Sequence, residues 1–175
     1  MDKSKLANAG LVTIATFSLI LGTACASHPR TIDFQDYKSG YSIEYPETWK
    51  LEANALNTKS THSTNLWAPQ PLKALVVISV YYDNPLTGED AARAILTQCR
   101  DDYENVAVLL NKRVGTWDWC LNISYKDPAV GVLQDAYYYK KAGNRLYEVQ
   151  TTGQTEDYQS LGLEQIMDTF HLIIE

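Results

Sequence analysis

Nine consecutive residues, Ala74 to Tyr82 (ALVVISVYY), restrict the fold more than any other stretch of the chain. They are apolar at nearly every position and β-branched at four, Val76, Val77, Ile78 and Val80. Such a run lacks the in-out alternation of a half-exposed strand and reads as a central strand covered on both faces. The chain must therefore build a sheet with material packed on each side of it. Asn84-Pro85 ends the run.

The segments around it supply that sheet and its cover. Tyr41 to Tyr45 alternates with period two, so it reads as a strand that Pro46 and Glu47 turn, and Trp49 to Glu52 re-enters the sheet. The polar stretch from Asn54 to Thr64 reads as a loop or loose hairpin. Thr87 stands where a helix cap belongs, with Glu89 and Asp90 in the first turn. Ala91, Ala92, Ile95, Leu96, Cys99 and Tyr103 recur at three and four, an amphipathic helix with Cys99 turned inward. Val106 to Leu110 predicts a short strand and Val114 to Tyr125 a long one. In the long one Trp117, Trp119, Leu121, Ile123 and Tyr125 are expected to share a face opposite Asp118, Cys120, Asn122 and Ser124. Val132 to Tyr139 and Leu146 to Thr152 predict two more strands, joined by a hairpin at Lys141-Ala142-Gly143-Asn144. Thr155 to Asp157 is the expected cap of a last helix carrying Leu163, Ile166, Met167 and Phe170, and residues 171–175 are a tail or short strand. Strands joined by hairpin-length links, with one helix between them and one at the end, define an α+β fold around a mainly antiparallel sheet.

The front of the chain is an address. Lys3 and Lys5 precede an apolar run from Leu11 to Leu21, and the small residues from Gly22 to Ser27 follow it. That is the form of a secretory signal peptide, and the run is shorter than the roughly 20 residues a bilayer span needs. Two cuts compete. Ala24-Cys25-Ala26 has the form of an ordinary cleavage site, leaving a soluble periplasmic protein. Thr23-Ala24-Cys25 resembles a bacterial lipobox, with Gly22 where a large aliphatic residue is usual, and makes Cys25 the lipidated first residue of a periplasm-facing, membrane-anchored protein. The expected division is a signal peptide over 1–24, a tether over 25–36 and one domain over 37–175. Dropping Asp2, Lys3 and Lys5 takes the formal charge from −6 to −7. An acidic domain with scattered basic residues argues against nucleic acid and against direct attraction to an anionic bilayer, so the membrane contact is assigned to Cys25.

The stretch YSIEYPETW resembles the first strand of the PsbP-like superfamily, which also contains DcrB-type bacterial lipoproteins: an aromatic, an alternating strand, proline, two residues and tryptophan, here Tyr41, Pro46 and Trp49. Tyr137-Tyr138-Tyr139 followed by Arg145 to Val149 is similar to the family's paired late strands. Met167-Asp168-Thr169-Phe170 is similar to its closing helix, where a small hydroxyl residue precedes phenylalanine. The resemblance covers about residues 37 to 174. It implies an antiparallel sheet flanked by helices, an α/β/α sandwich, in an exported or lipid-anchored protein without catalytic residues. In oxygenic phototrophs it implies an extrinsic subunit of photosystem II.

Chemistry is sparse in the sequence. His28, His62 and His171 have no zinc-like spacing to one another or to cysteine, and Asp83, Asp101 and Asp102 read as solvated rather than metal-binding. No phosphate loop, calcium loop or nucleophile elbow is present, so no catalytic residue, metal or cofactor is assigned. In an oxidising compartment Cys99 and Cys120 form an even pair that is either a disulfide or two buried thiols. Twelve tyrosines and four tryptophans are concentrated on strands. Trp67, Trp117, Trp119, Tyr125, Tyr137 and Tyr139 are either core or an aromatic binding face. The expected function is a non-catalytic binding or assembly module contacting other envelope proteins, with a small-ligand carrier or enzyme using an aromatic cleft as the alternative.

Overall fold

The structure, a computed structural model, describes residues 30–173. The expected signal peptide and the lipidation assigned to Cys25 fall outside these residues. Ten strands and two helices form two antiparallel sheets. The larger sheet takes the order β3-β4-β5-β9-β8-β7-β6, built from β3 (Lys50–Asn57), β4 (Thr61–Trp67), β5 (Leu75–Tyr81), β6 (Ala107–Val114), β7 (Trp117–Asp127), β8 (Gly131–Ala142) and β9 (Arg145–Gln154). The smaller sheet is β1-β2-β10, from β1 (Thr31–Asp36), β2 (Tyr41–Pro46) and β10 (His171–Leu172). Helix α1 (Gly88–Asp102) lies on one face of the larger sheet, over β7 and β8. The smaller sheet and α2 (Leu163–Asp168) cover the other face. The expected antiparallel sheet between helical layers is present, with the three-stranded sheet beside α2 as an added part.

Two cores result. On the α2 side, Tyr41, Ile43 and Tyr45 of β2 meet Leu66, Val76, Ile78, Val80 and Val149 of the larger sheet, together with Leu163, Ile166, Met167 and Phe170. On the α1 side, Ala91, Ala92 and Cys99 pack on Leu121, Ile123, Tyr125, Tyr137, Tyr139 and Leu146. The run that opened the sequence is β5. Its α2-side residues Val76, Ile78 and Val80 are fully buried, whereas Leu75, Val77 and Tyr81 on the α1 side are half-buried, because α1 lies over β7 and β8 and not over β5.

The three stretches that resemble PsbP-like proteins meet at Phe170. Its ring stacks on Tyr41 at 5.6 Å and on Trp117 at 5.1 Å, and Tyr147 approaches edge-on at 6.1 Å. The preceding hydroxyl, Thr169 Oγ1, accepts the Glu44 N–H at 2.9 Å and donates to the Ile166 carbonyl at 2.7 Å, which clips the end of α2 to β2.

Several boundaries differ from expectation. Residues Thr31–Asp36, assigned to the tether, form β1 and pair with β2 from Thr31↔Pro46 to Asp36↔Tyr41, so the domain begins earlier than residue 37. Of the two readings of Asn54 to Thr64, a loop or a loose hairpin, the hairpin is present as the turn and flanks of β3 and β4, and His62 is a buried strand residue whose Nε2 lies 2.9 Å from Asp36 Oδ2. Val114 closes β6 rather than opening β7, since the chain turns at Gly115-Thr116. Helix α2 starts after the left-handed Gly162, not at Thr155. The cap at Thr87 is present as expected: its Oγ1 accepts the Asp90 N–H at 3.1 Å, and Asp90 returns a carboxylate to the Thr87 N–H.

Candidate functional site

Helix α1 touches the sheet closely at its start and leaves a gap at its end. At Gly88 a Cβ would stand 2.7 Å from the Cβ of Tyr139 and 3.1 Å from that of Trp119, so only glycine allows this approach. At the far end Tyr103 caps the helix, its N–H bonding the Cys99 carbonyl at 2.9 Å. Between that end and the sheet is a cleft of about 210 Å³, bounded by Ile95, Gln98, Cys99, Asp102 and Tyr103 from the helix side and by Tyr125, Asp135, Tyr137 and Gln150 from the sheet.

Asp135 forms the floor of the cleft. Its parity on β8 is that of Tyr137 and Tyr139, so it points at α1 and is 3% exposed. Three donors converge on its Oδ2: the Tyr125 hydroxyl at 3.0 Å, the Tyr137 hydroxyl at 3.2 Å and Gln150 Nε2 at 3.4 Å. Gln150 is shared further with the Tyr137 oxygen and Thr152 Oγ1, each at 3.3 Å. Oδ1 is enclosed by the protein and takes none of these three bonds. Burial pushes the Asp135 carboxyl pKa above its ordinary value, and the donors Thr152, Tyr125, Tyr137 and Gln150 act in the opposite direction. Above it the rings of Tyr103 and Tyr125 lie 4.2 Å apart.

The thiol and the phenols of the cleft are held protonated. Burial, reinforced by the charge of Asp135, raises the Cys99 thiol. Burial also lifts the Tyr125 and Tyr137 hydroxyls well above the usual tyrosine value, with Asp135 adding to both. A protonated thiol is a poor nucleophile, and the lining contains no histidine to take its proton. A second buried acid on the same sheet face, Glu148, accepts from the Tyr81 hydroxyl at 3.2 Å, and burial raises its carboxyl too. Sequence reading passed over both acids. For Asp135 the signal is parity, since it shares the inward face of β8 with Leu133, Tyr137 and Tyr139, whereas Glu148 stands among Gln150 and Thr152 on β9 and has no such signal.

The predicted aromatic face divides. Trp119, Tyr125, Tyr137 and Tyr139 gather under α1, with Tyr125, Tyr137 and Tyr139 buried as core. Only Tyr125 and Tyr137 reach the cleft. Trp119 Nε1 donates to Asn111 Oδ1 at 2.7 Å on the neighbouring strand. Trp117 is not on that face. Val114 pairs with Trp117 and Lys112 with Cys120, so β7 carries one extra residue, the alternation slips, and Trp117 turns to the α2 side beside Tyr138 at 5.3 Å. There it borders a separate hollow of about 470 Å³ with Asn122, Glu164 and Asp168. Trp67 is remote from both, 41% exposed at the end of β4, with Nε1 donating to Glu52 at 3.1 Å.

Of the two readings of Cys99 and Cys120, a disulfide or two buried thiols, the structure has the buried thiols. Both are free and buried, Cys99 in the core beneath α1 and Cys120 in the core beneath α2, with the sheet between them. Among the described residues no group of three or more histidines, cysteines and acids is placed to hold a metal ion, and no helix is long and apolar enough to cross a membrane.

No family model matches the sequence, and no curated protein matches it. Solved structures do match. The solution structure of cyanobacterial PsbP from Synechocystis sp. PCC 6803 superposes with a TM-score of 0.58 at 13% identity, covering 87% of this chain and 98% of that one. The Ran-binding protein Mog1p of Saccharomyces cerevisiae gives 0.54 at 6% identity, covering 83% and 97%. A protein from Bacteroides thetaiotaomicron gives 0.52 at 18% identity, covering 82% of this chain and 48% of that one. At these identities the likeness concerns the fold: the chain has a PsbP-like fold.

Proposed function

We propose that this protein is an exported, lipid-anchored and non-catalytic binding module of the cell envelope, working through contacts with other envelope proteins. The observation that carries this reading is the state of the groups in the cleft. Its acid is engaged by three donors, its thiol is held protonated, and its tyrosines are fixed as donors, an arrangement suited to holding a bound group in place. The N-terminal pattern around Cys25 supports export and anchoring. That a yeast protein of the same fold is a Ran-binding protein supports a binding role on this scaffold.

The test has two arms in intact cells. A photo-crosslinking residue at the exposed rim position Gln98 is expected to yield a discrete adduct, with none from the same residue at Lys59, remote from the cleft. Cys25→Ser is expected to move the protein from the membrane fraction to the soluble one. No adduct at Gln98, or a membrane fraction unchanged by Cys25→Ser, would overturn the respective half of the proposal. A second reading, a carrier of a small ligand, is favoured by one specific feature: a small cleft walled by Tyr103, Tyr125 and Tyr137 with a buried acid among its lining residues.

A further inference from the structure

On the α2 side of the molecule, a second hollow lies where the chain enters the fold. A groove of about 560 Å³ separates α2 and its preceding turn from the end of the β1-β2 hairpin, with Thr31, Tyr45, Pro46, Leu161, Gly162 and Ile166 in its walls. Most of the surface it presents is apolar. Its volume falls within the range of about 300–1,000 Å³ that small-molecule pockets occupy. The groove exists because β10 covers β2 only at Tyr41 and Ser42. Thr169 then bonds the backbone of Glu44, and among the described residues no strand continues beside Tyr45 and Pro46 on that side.

The entry of the chain is fixed beside this groove. Pairing of β1 with β2 continues back to Arg30, whose carbonyl accepts the Glu47 N–H at 2.9 Å. Thr31, the first residue of β1, is itself part of the lining. Cys25 precedes Thr31 by six residues, a reach of at most about 20 Å. A lipid on Cys25 therefore holds the groove within that distance of the bilayer surface.

We propose that the groove takes one acyl chain of a zwitterionic bilayer lipid and so seats this end of the domain on the membrane. The inference rests on the lipid-anchored reading given above and concerns a different site. The lining decides the chemistry. An acyl chain leaving the bilayer interior for apolar walls loses little, while the groove's own apolar surface is removed from water. Glu44 is the one charged lining residue, and its Oε2 accepts the Thr31 hydroxyl at 3.2 Å. That carboxylate repels an anionic headgroup at the rim and leaves a zwitterionic one favoured. The short tether keeps the local lipid concentration high, so a weak intrinsic affinity suffices. A lone acyl chain anchors only marginally, and a captured bilayer lipid adds a second point of attachment.

The test uses the mature protein purified from cells, with its N-terminal peptide weighed by mass spectrometry. It is reconstituted in phosphatidylcholine nanodiscs holding a trace of phosphatidylcholine with a nitroxide at the chain end. The amides of Leu161, Gly162 and Ile166 should show paramagnetic relaxation at least threefold that of Lys59. Lys59 is in the β3-β4 turn, at the Asp36 end of β1 and away from Thr31. Leu161→Asp should bring the three amides to the level of Lys59. Ser160→Glu combined with Gln165→Glu, both on exposed rim positions, should do the same and decides the matter if Leu161→Asp does not fold. Relaxation no greater than at Lys59, equal relaxation from a headgroup nitroxide, or the wild-type pattern in a folded charged variant would overturn the inference. The first of these is also the result if the anchor's own acyl chain fills the groove. An unmodified Cys25 sinks the anchoring reading alone. Lysophosphatidylcholine with the same chain-end nitroxide, added to that protein below its micellar concentration, then reads the groove by the same criterion.

Discussion

Replacing Phe170 by alanine should remove more stability than any exposed substitution on this surface. The ring is 7% exposed and has aromatic neighbours from three strands, Tyr41 of β2, Trp117 of β7 and Tyr147 of β9, with centroids 5.1 to 6.1 Å away. Truncating a buried phenylalanine costs about 3–5 kcal/mol, because the transfer energy is lost and a cavity remains. Ring pairs add about 0.5–1.5 kcal/mol beyond area, and three of them push the expectation to the upper half, about 4–5 kcal/mol. For a domain of about 150 residues that lowers Tm by roughly 8–20 °C. Urea unfolding followed by tryptophan fluorescence is the assay, since Trp117 stacks on the lost ring, with an unchanged slope in denaturant as the check on two-state behaviour. Leu109→Ala, on the exposed edge strand, is the control and should stay within about 0.5 kcal/mol. A loss below about 1.5 kcal/mol for Phe170→Ala, or no coupling to Tyr41→Leu in a double-mutant cycle, refutes the claim that this ring joins the smaller sheet to the larger.

His62→Ala should cost about 1.5–3 kcal/mol, measured by the same unfolding assay, because it removes a buried hydrogen bond to a carboxylate that ties β4 to β1. Gly88→Ala should cost about 1–3 kcal/mol by overpacking, with the loss traced by circular dichroism to α1 lifting off Tyr139. Neither thiol should react with a maleimide in the native protein at pH 8, since burial holds Cys120 up to about 12 and raises Cys99; both should react in denaturant without reductant, and failure to do so would restore the disulfide.

What was legible in the sequence follows from which strands have an apolar face. β5, β8 and β9 carry strong patterns, and the turn between β8 and β9 falls at Gly143-Asn144 as its residues require. β1 was read as tether because only Ile32 and Phe34 are apolar and only Phe34 packs against the core; as an edge strand it draws on backbone pairing with β2 more than on burial. The first half of β4 reads as loop or loose hairpin rather than as a firm strand because its inward residues below Leu66 are Thr64 and His62, polar groups buried without an apolar signature. The misplacement of Trp117 has a different cause. Period-two counting cannot register an inserted residue, and the slip between Lys112 and Val114 reverses every face assignment on one side of it.

The cleft lies at the margin of the α1-side core and shares Cys99, Tyr125 and Tyr137 with it, so its acid is buried beside core residues and held by their hydroxyls. Asp135→Asn makes this measurable. Asparagine can keep its carbonyl in the place of Oδ2, accepting from Tyr125, Tyr137 and Gln150, and put its amide in the place of Oδ1. The fold should therefore survive, and the effect should depend on pH. The folded carboxyl is raised above the unfolded value of about 3.9, so between those two pKa values the native state binds more protons than the unfolded chain. Wild-type stability must then fall, relative to Asp135→Asn, as pH rises from the unfolded value through the folded one, and the difference must level off on either side. The groups that face Asp135, namely Cys99, Asp102 and Tyr103 from α1 with Tyr125 and Tyr137 from the sheet, remain in both proteins and cancel in the comparison. A difference that instead grows in favour of wild type with rising pH would mean that the hydrogen-bond donors around the carboxylate outweigh burial.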